Sequence, residues 1–200
     1  MDNVIGYFLQ IITITATVVL GLYTAIQSKK LQKGQHIVSV TTNYRLQRSE
    51  HIKQCGTILL SNSLPELLDE SKEKAYIMLQ KSHEASCQLS EILHRCFNQD
   101  MELITLSEKI NDLVFEYIKG VYLGKDIDIT ETRRKLIGFR KVFIIKCDMY
   151  TYAEWRRIKK ETSGIDTMSE EWIEFYKELS NKYNEELERV YKEYKLTEEI

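Results

Sequence analysis

Proline is almost missing from this sequence: Pro65 is the one example in 200 residues, and glycine occurs only eight times. Both residues punctuate turns, so their scarcity excludes a loop-rich or many-stranded β fold. Cysteine is sparse as well. Cys55, Cys87, Cys96 and Cys147 lie far apart without a CxxC pair, which leaves no zinc knuckle and reads as free thiols in a reducing compartment. A basic surplus is also absent. The net charge is −2, which argues against a general nucleic-acid binder because phosphate affinity needs positive charge. There is no glycine-rich phosphate loop, no GxSxG and no HExxH. The histidines are His36, His51, His83 and His94, and no spacing among them suggests a shared metal; neither metal nor cofactor is expected.

Leu, Ile, Glu and Lys are plentiful, with 12 Tyr, a mixture that favours long helices. The expected fold class is all-α: one N-terminal transmembrane helix followed by a cytoplasmic helical bundle of about five helices. Val4 to Ile26 carries no charge, and a helix of that length reaches roughly 34 Å, enough to cross a bilayer's hydrocarbon core. Only Asp2 and Asn3 follow the initial Met before this run, whereas a secretory signal begins with a basic stretch, so the segment is expected to be retained. Lys29, Lys30 and Lys33 come just after it, then Arg45 and Arg48. This asymmetry places the N-terminus outside and the rest in the cytoplasm. The expected divisions are an anchor over 1–28, a juxtamembrane helix over 29–62 and the bundle over 63–200.

Polar and small residues inside the span share one face. Gly6, Gln10, Thr13, Thr17, Gly21 and Thr24 recur at steps of four, three, four, four and three. In lipid such a face prefers another helix or water. It suits a homo-oligomer seam or a pore closed by several copies; the alternative is a single anchor whose threonines bond their own backbone.

Beyond the span, apolar residues recur at helical spacing. The first helix is expected to run to about Leu60 with Ile37, Val40, Tyr44, Ile52, Cys55 and Leu59 inward and a bend at Gly34. Ser63 and Glu66 read as a capping box, with Pro65 in the first turn of a helix reaching Phe97. Asn98-Gln99-Asp100 reads as a break, and the next helix covers Met101 to Leu123, where Gly124 stops it. Thr130 reads as the N-cap of a helix to Thr162 with Leu136, Phe139, Phe143, Ile144 and Tyr150 inward, and the last begins near Thr167 to Ser169. Val142 to Ile145 is β-prone but is assigned to helix by its neighbours. Arg133, Arg134, Lys135, Arg140, Lys141 and Lys146 load the fourth helix, while glutamates load the fifth. These faces either pair and solvate, or the basic one touches RNA or anionic lipid.

Arg45-Leu46-Gln47-Arg48-Ser49-Glu50-His51 is similar to the R-x4-6-H signature of HEPN ribonucleases. Arg45 and His51 are the candidate catalytic pair: an imidazole moves protons at a 2′-hydroxyl while an arginine stabilises phosphorane charge. Leu46 departs from the polar residue usual after the arginine. Glu154-Trp155-Arg156-Arg157-Ile158-Lys159-Lys160-Glu161 resembles a Glu-Trp-x-Arg-x-Lys-x-Glu element, with Lys160 an added charge. Together with the single span, the layout resembles the HEPN-like helical membrane accessory proteins of type VI-B CRISPR and related bacterial phage-defence systems.

That resemblance implies a non-enzymatic, single-pass protein of the bacterial inner membrane that assembles with itself into a pore and depolarises the membrane during antiviral defence. It also implies an RNA-guided effector protein as partner. Two alternatives stand beside it: a membrane-tethered HEPN-type ribonuclease acting on RNA, and an adaptor that docks a cytosolic partner.

Overall fold

The computed structural model describes residues 2–93, 98–162 and 169–196; within these, the side chains of 2–19, 30–31, 33–38, 162 and 169–172 lie outside the description. The described residues form six helices: α1 (Asp2–Ser61), α2 (Pro65–Leu68), α3 (Lys72–Ile92), α4 (Asn98–Leu123), α5 (Ile129–Thr162) and α6 (Ser169–Glu193). The described residues contain no strand, so the chain is all-α, and Val142 to Ile145 lies inside α5. The chain divides into two units, Met1–Tyr44 and Arg45–Ile200. α1 runs through Gly34 without interruption. Among the described residues no helix is long and apolar enough to cross a membrane. Most of the expected span, including Gly6, Gln10, Thr13 and Thr17, lies outside the residues whose side chains are described.

In the second unit α4 packs against both α3 and α5, and α5 also packs against α6. A helix covered on two sides needs a broad apolar stripe. α4 has one: Leu103, Leu106, Ile110, Leu113 and Tyr117 are buried, and so are Ile104, Val114 and Ile118 beside them. α5 contributes Leu136, Phe139, Val142, Phe143 and Tyr150, and α6 adds Phe175, Leu179, Leu187 and Val190. The end of α1 inserts Ile52, Cys55 and Leu59 into the same core. Three expected inward residues point out instead. Val40, Tyr44 and Ile144 are exposed; Ile144 follows Phe143 by one residue, and that 100° step carries it off the core face.

Several helix ends differ from the sequence expectation. The Ser63–Glu66 capping box does not form. Leu64 is the N-cap of α2 without a side-chain bond, and Ser63 is buried with its hydroxyl donating back to the Leu60 carbonyl. The helix expected over 63–97 is broken after Leu68, and Ser71 caps α3 by accepting from the Lys74 N–H. The break is held from outside. Tyr117 Oη donates to Asp69 Oδ1 at 2.7 Å, Tyr122 Oη donates to the Leu68 carbonyl at 2.6 Å, and Arg133 reaches Glu66 and Asp69. Burial and the Asp69 charge push the Tyr117 phenol up to about 12. Asn98 to Asp100 form the first turn of α4 rather than a break. Asp128, not Thr130, caps α5, its Oδ1 accepting from the Glu131 N–H at 2.9 Å. Gly124 does end α4, with φ +60.

α6 closes with a double hydrogen-bonded turn: the Leu196 N–H donates to the Tyr191 carbonyl and the Lys195 N–H to that of Lys192. This pattern requires a left-handed residue, here Lys195 at φ 45. It folds Leu196 back onto α5, where a Cβ added to Gly138 would lie 2.6 Å from Tyr194 Cβ and 3.1 Å from Leu196 Cδ1. Gly138→Ala is expected to destabilise the bundle by about 1–3 kcal/mol through overpacking. Lys195→Gly is expected to stabilise it by about 1 kcal/mol by relieving the left-handed side chain. Thermal or urea unfolding of both variants would test this, and equal behaviour would contradict the close packing described.

Candidate functional site: a buried arginine–carboxylate cluster

Arg45 and Arg48 stand one turn apart on α1, and each meets a different helix. Arg48 Nη2 donates to Asp100 Oδ2 at 2.7 Å, and its Nε donates to the Ile92 carbonyl at 3.2 Å. That carbonyl belongs to the last turn of α3, where the helix cannot satisfy it internally. Asp100 is 1 % exposed, and this guanidinium is its counter-charge. Arg45 Nη1 pairs with Glu161 Oε1. Arg157, one turn before Glu161 on α5, brings Nε to 3.4 Å of the same oxygen without hydrogen-bond geometry.

Glu154 completes the cluster from α5. Burial raises its carboxyl above the usual carboxylate range, and Arg157, Arg48 and Arg45 oppose that shift. Tyr150 lies beside it, its phenol raised by burial and then by the Asp100 charge. Three arginines and three carboxylates from α1, α4 and α5 thus share one partly dry region, an arrangement suited to fixing helix register.

Arg45 and His51, the catalytic pair expected from sequence, have different surroundings. Arg45 is held by Glu161, whereas His51 is exposed on a different face of α1 and lines a groove of about 310 Å³ with Gln54, Cys55, Gln88 and Glu91. The two are six positions apart, with five residues between them, which is about 120° around the helix axis. His36 and His94 lie outside the residues whose side chains are described.

The Glu154–Glu161 element has two faces. Glu154, Arg157 and Glu161 turn toward the cluster, while Trp155 is half exposed and stacks on Tyr152 at 5.8 Å between centroids. The basic residues of α5 are largely engaged within the bundle. Arg133 meets Glu66 and Asp69, Arg134 and Lys135 meet Glu131, and Lys146 meets Glu102. Arg140 donates to the Leu60 carbonyl, and Lys141 meets Glu193 of α6.

Of the expected pore or seam face, Gly21 and Thr24 are described. Gly21 has nothing within 4 Å of an added Cβ, and the Thr24 hydroxyl lies within hydrogen-bonding reach of the Leu20 and Gly21 carbonyls. Among the described residues no three His, Cys, Asp or Glu side chains are grouped to hold a metal ion. Sequence reasoning missed Asp100, the acidic anchor of the cluster; its only local signal was a carboxylate in a helix's first turn.

Comparisons with protein families, with curated proteins and with solved structures each found no match.

Asp100→Asn leaves the partly buried Arg48 without its counter-charge and is expected to lower stability by about 3 kcal/mol. Replacing both partners, Arg48→Met with Asp100→Leu, should recover much of that loss in the same denaturant titration. The raised Glu154 carboxyl means that the folded state binds this proton more tightly than the unfolded state. Its contribution is therefore greatest at low pH and falls as pH rises through the carboxylate range. Glu154→Gln should accordingly gain in melting temperature over the parent as pH is raised from about 4 to 7. A pH-independent difference would contradict that burial.

Proposed function

We propose that the chain is a membrane-anchored, self-associating effector that forms a pore and depolarises the inner membrane, in the manner of the accessory proteins it resembles. The observation that carries this reading is one helix with two characters. Residues 4–26 of α1 bear no charge, and the last turns of the same helix are gripped by Asp100, Glu161 and the apolar core. A helix so built links an event in the bundle to the membrane. The polar face of Gln10, Thr13 and Thr17 would line a water path, which requires several copies because two or three helices cannot enclose one.

One observation favours the plainer anchor reading: the Thr24 hydroxyl is satisfied by its own backbone. A tethered ribonuclease is the less supported alternative, since Arg45 is engaged by Glu161. The proposed effector needs no catalytic residue; an RNA-guided effector protein is its proposed cytosolic partner.

The triple variant Gln10→Leu, Thr13→Leu and Thr17→Leu is expected to insert normally but to lose ion leak, read by a potential-sensitive dye in expressing cells. Undiminished depolarisation in cells carrying the inserted variant would overturn the pore. The micelle-corrected mass of the extracted protein separates the readings further. Six or more copies support a pore, a monomer supports an anchor, and a dimer calls for an RNA-cleavage assay with His51→Ala.

A further inference from the structure

An open cleft of about 350 Å³ lies between α3 and α4, away from the arginine cluster. His83 and Cys87 stand one turn apart on α3, with His83 Nε2 3.7 Å from Cys87 Sγ. Asn111 of α4 brings its side-chain amide to 3.2 Å of His83 Nδ1, and its Oδ1 is buried without a hydrogen-bond partner. The two ends of an amide exchange by a half-turn about its terminal bond. Turned over, Asn111 Oδ1 accepts from His83 Nδ1–H, and Nε2 then presents its lone pair to the thiol.

The geometry points to Cys87, His83 and Asn111 as a thiol relay that undergoes exchange with a small, positively charged disulfide. His83 Nε2 takes the Cys87 proton as Sγ attacks one sulfur of the disulfide. A mixed disulfide forms, the original S–S bond breaks, and the departing thiolate takes the proton from the imidazolium. The incoming disulfide is the oxidant, so the step balances without a further reagent.

The lining of the cleft selects this chemistry over acyl transfer. An acyl intermediate needs free donors for its oxyanion. The Ser107 hydroxyl donates to the Ile104 carbonyl, which leaves Ser86 to donate to Ser107, and Ser90 donates to the Ser86 carbonyl. Both hydroxyls in the cleft are therefore occupied, while disulfide exchange develops no oxyanion. Glu108 and Asp112 line the same cleft, and their charges favour a cationic disulfide over an anionic one. Cys87 is exposed, whereas Cys55 is buried and the Cys147 thiol is pushed up to about 11 by burial and by Asp148.

The full-length protein would be treated with cystamine, or with a disulfide bearing two carboxylates, and Cys87 conjugation followed by peptide mass. Each rate would be normalised to that of a free small thiol. Cystamine is expected to react faster, and His83→Gln to slow it by about tenfold. Asn111→Leu should slow it as well, whereas Asn111→Asp, which can only accept, should retain the rate. Circular dichroism establishes that each variant is folded. Equal rates for parent and His83→Gln, or an equally fast dicarboxylate disulfide, would overturn the relay.

Discussion

A carboxylate that is 1 % exposed must either lose its charge or meet a cation. Asp100 meets Arg48, and the same guanidinium takes up a carbonyl left over at the end of α3. One side chain thus ties α1 to the end of one helix and the beginning of the next. The apolar core supplies most of the stabilisation but is indifferent to register, since leucines tolerate many offsets. The charged cluster is not indifferent: each arginine has a particular oxygen to find.

The same division of labour recurs at the opposite turn. The α2–α3 break is held by Tyr117, Tyr122 and Arg133, all reaching from other helices. Local propensity would have allowed a continuous helix there. Long-range hydrogen bonds make the break the better solution, because Asp69 and the Leu68 carbonyl gain donors from α4 and α5.

What could be read from sequence follows from this. The all-α class and inward residues such as Ile52 and Leu59 of α1 and Leu136, Phe139, Phe143 and Tyr150 of α5 were legible because periodic burial is a local signal. The ends were less so. Ser63 and Glu66 match a capping box in spacing, yet Ser63 is buried with its hydroxyl bonded backwards, and Asp128 competes successfully with Thr130 at the start of α5. Asp100 looked like a turn residue because nothing within 50 positions of it announces Arg48 as its partner. His83 and Cys87 share a helix turn, but Asn111 joins them only through the packing of α4 on α3. The Arg45–His51 spacing was legible, but a spacing along one helix does not say which groups each side chain meets: Arg45 pairs with Glu161 and His51 lines a groove.

The two arginines also behave as a key cut with two teeth. Sliding these turns of α1 by three residues would bring one arginine to the other's place and leave Thr42 or His51 at the vacated one. A slide of four would present Thr41 or Ser49 where Arg45 now stands, and Tyr44 or Ile52 in place of Arg48. The first shift takes a guanidinium from one of Asp100 and Glu161, and the second takes it from both. The register of residues 45–61 is therefore set in discrete steps, as a latch is, and not by a graded pull.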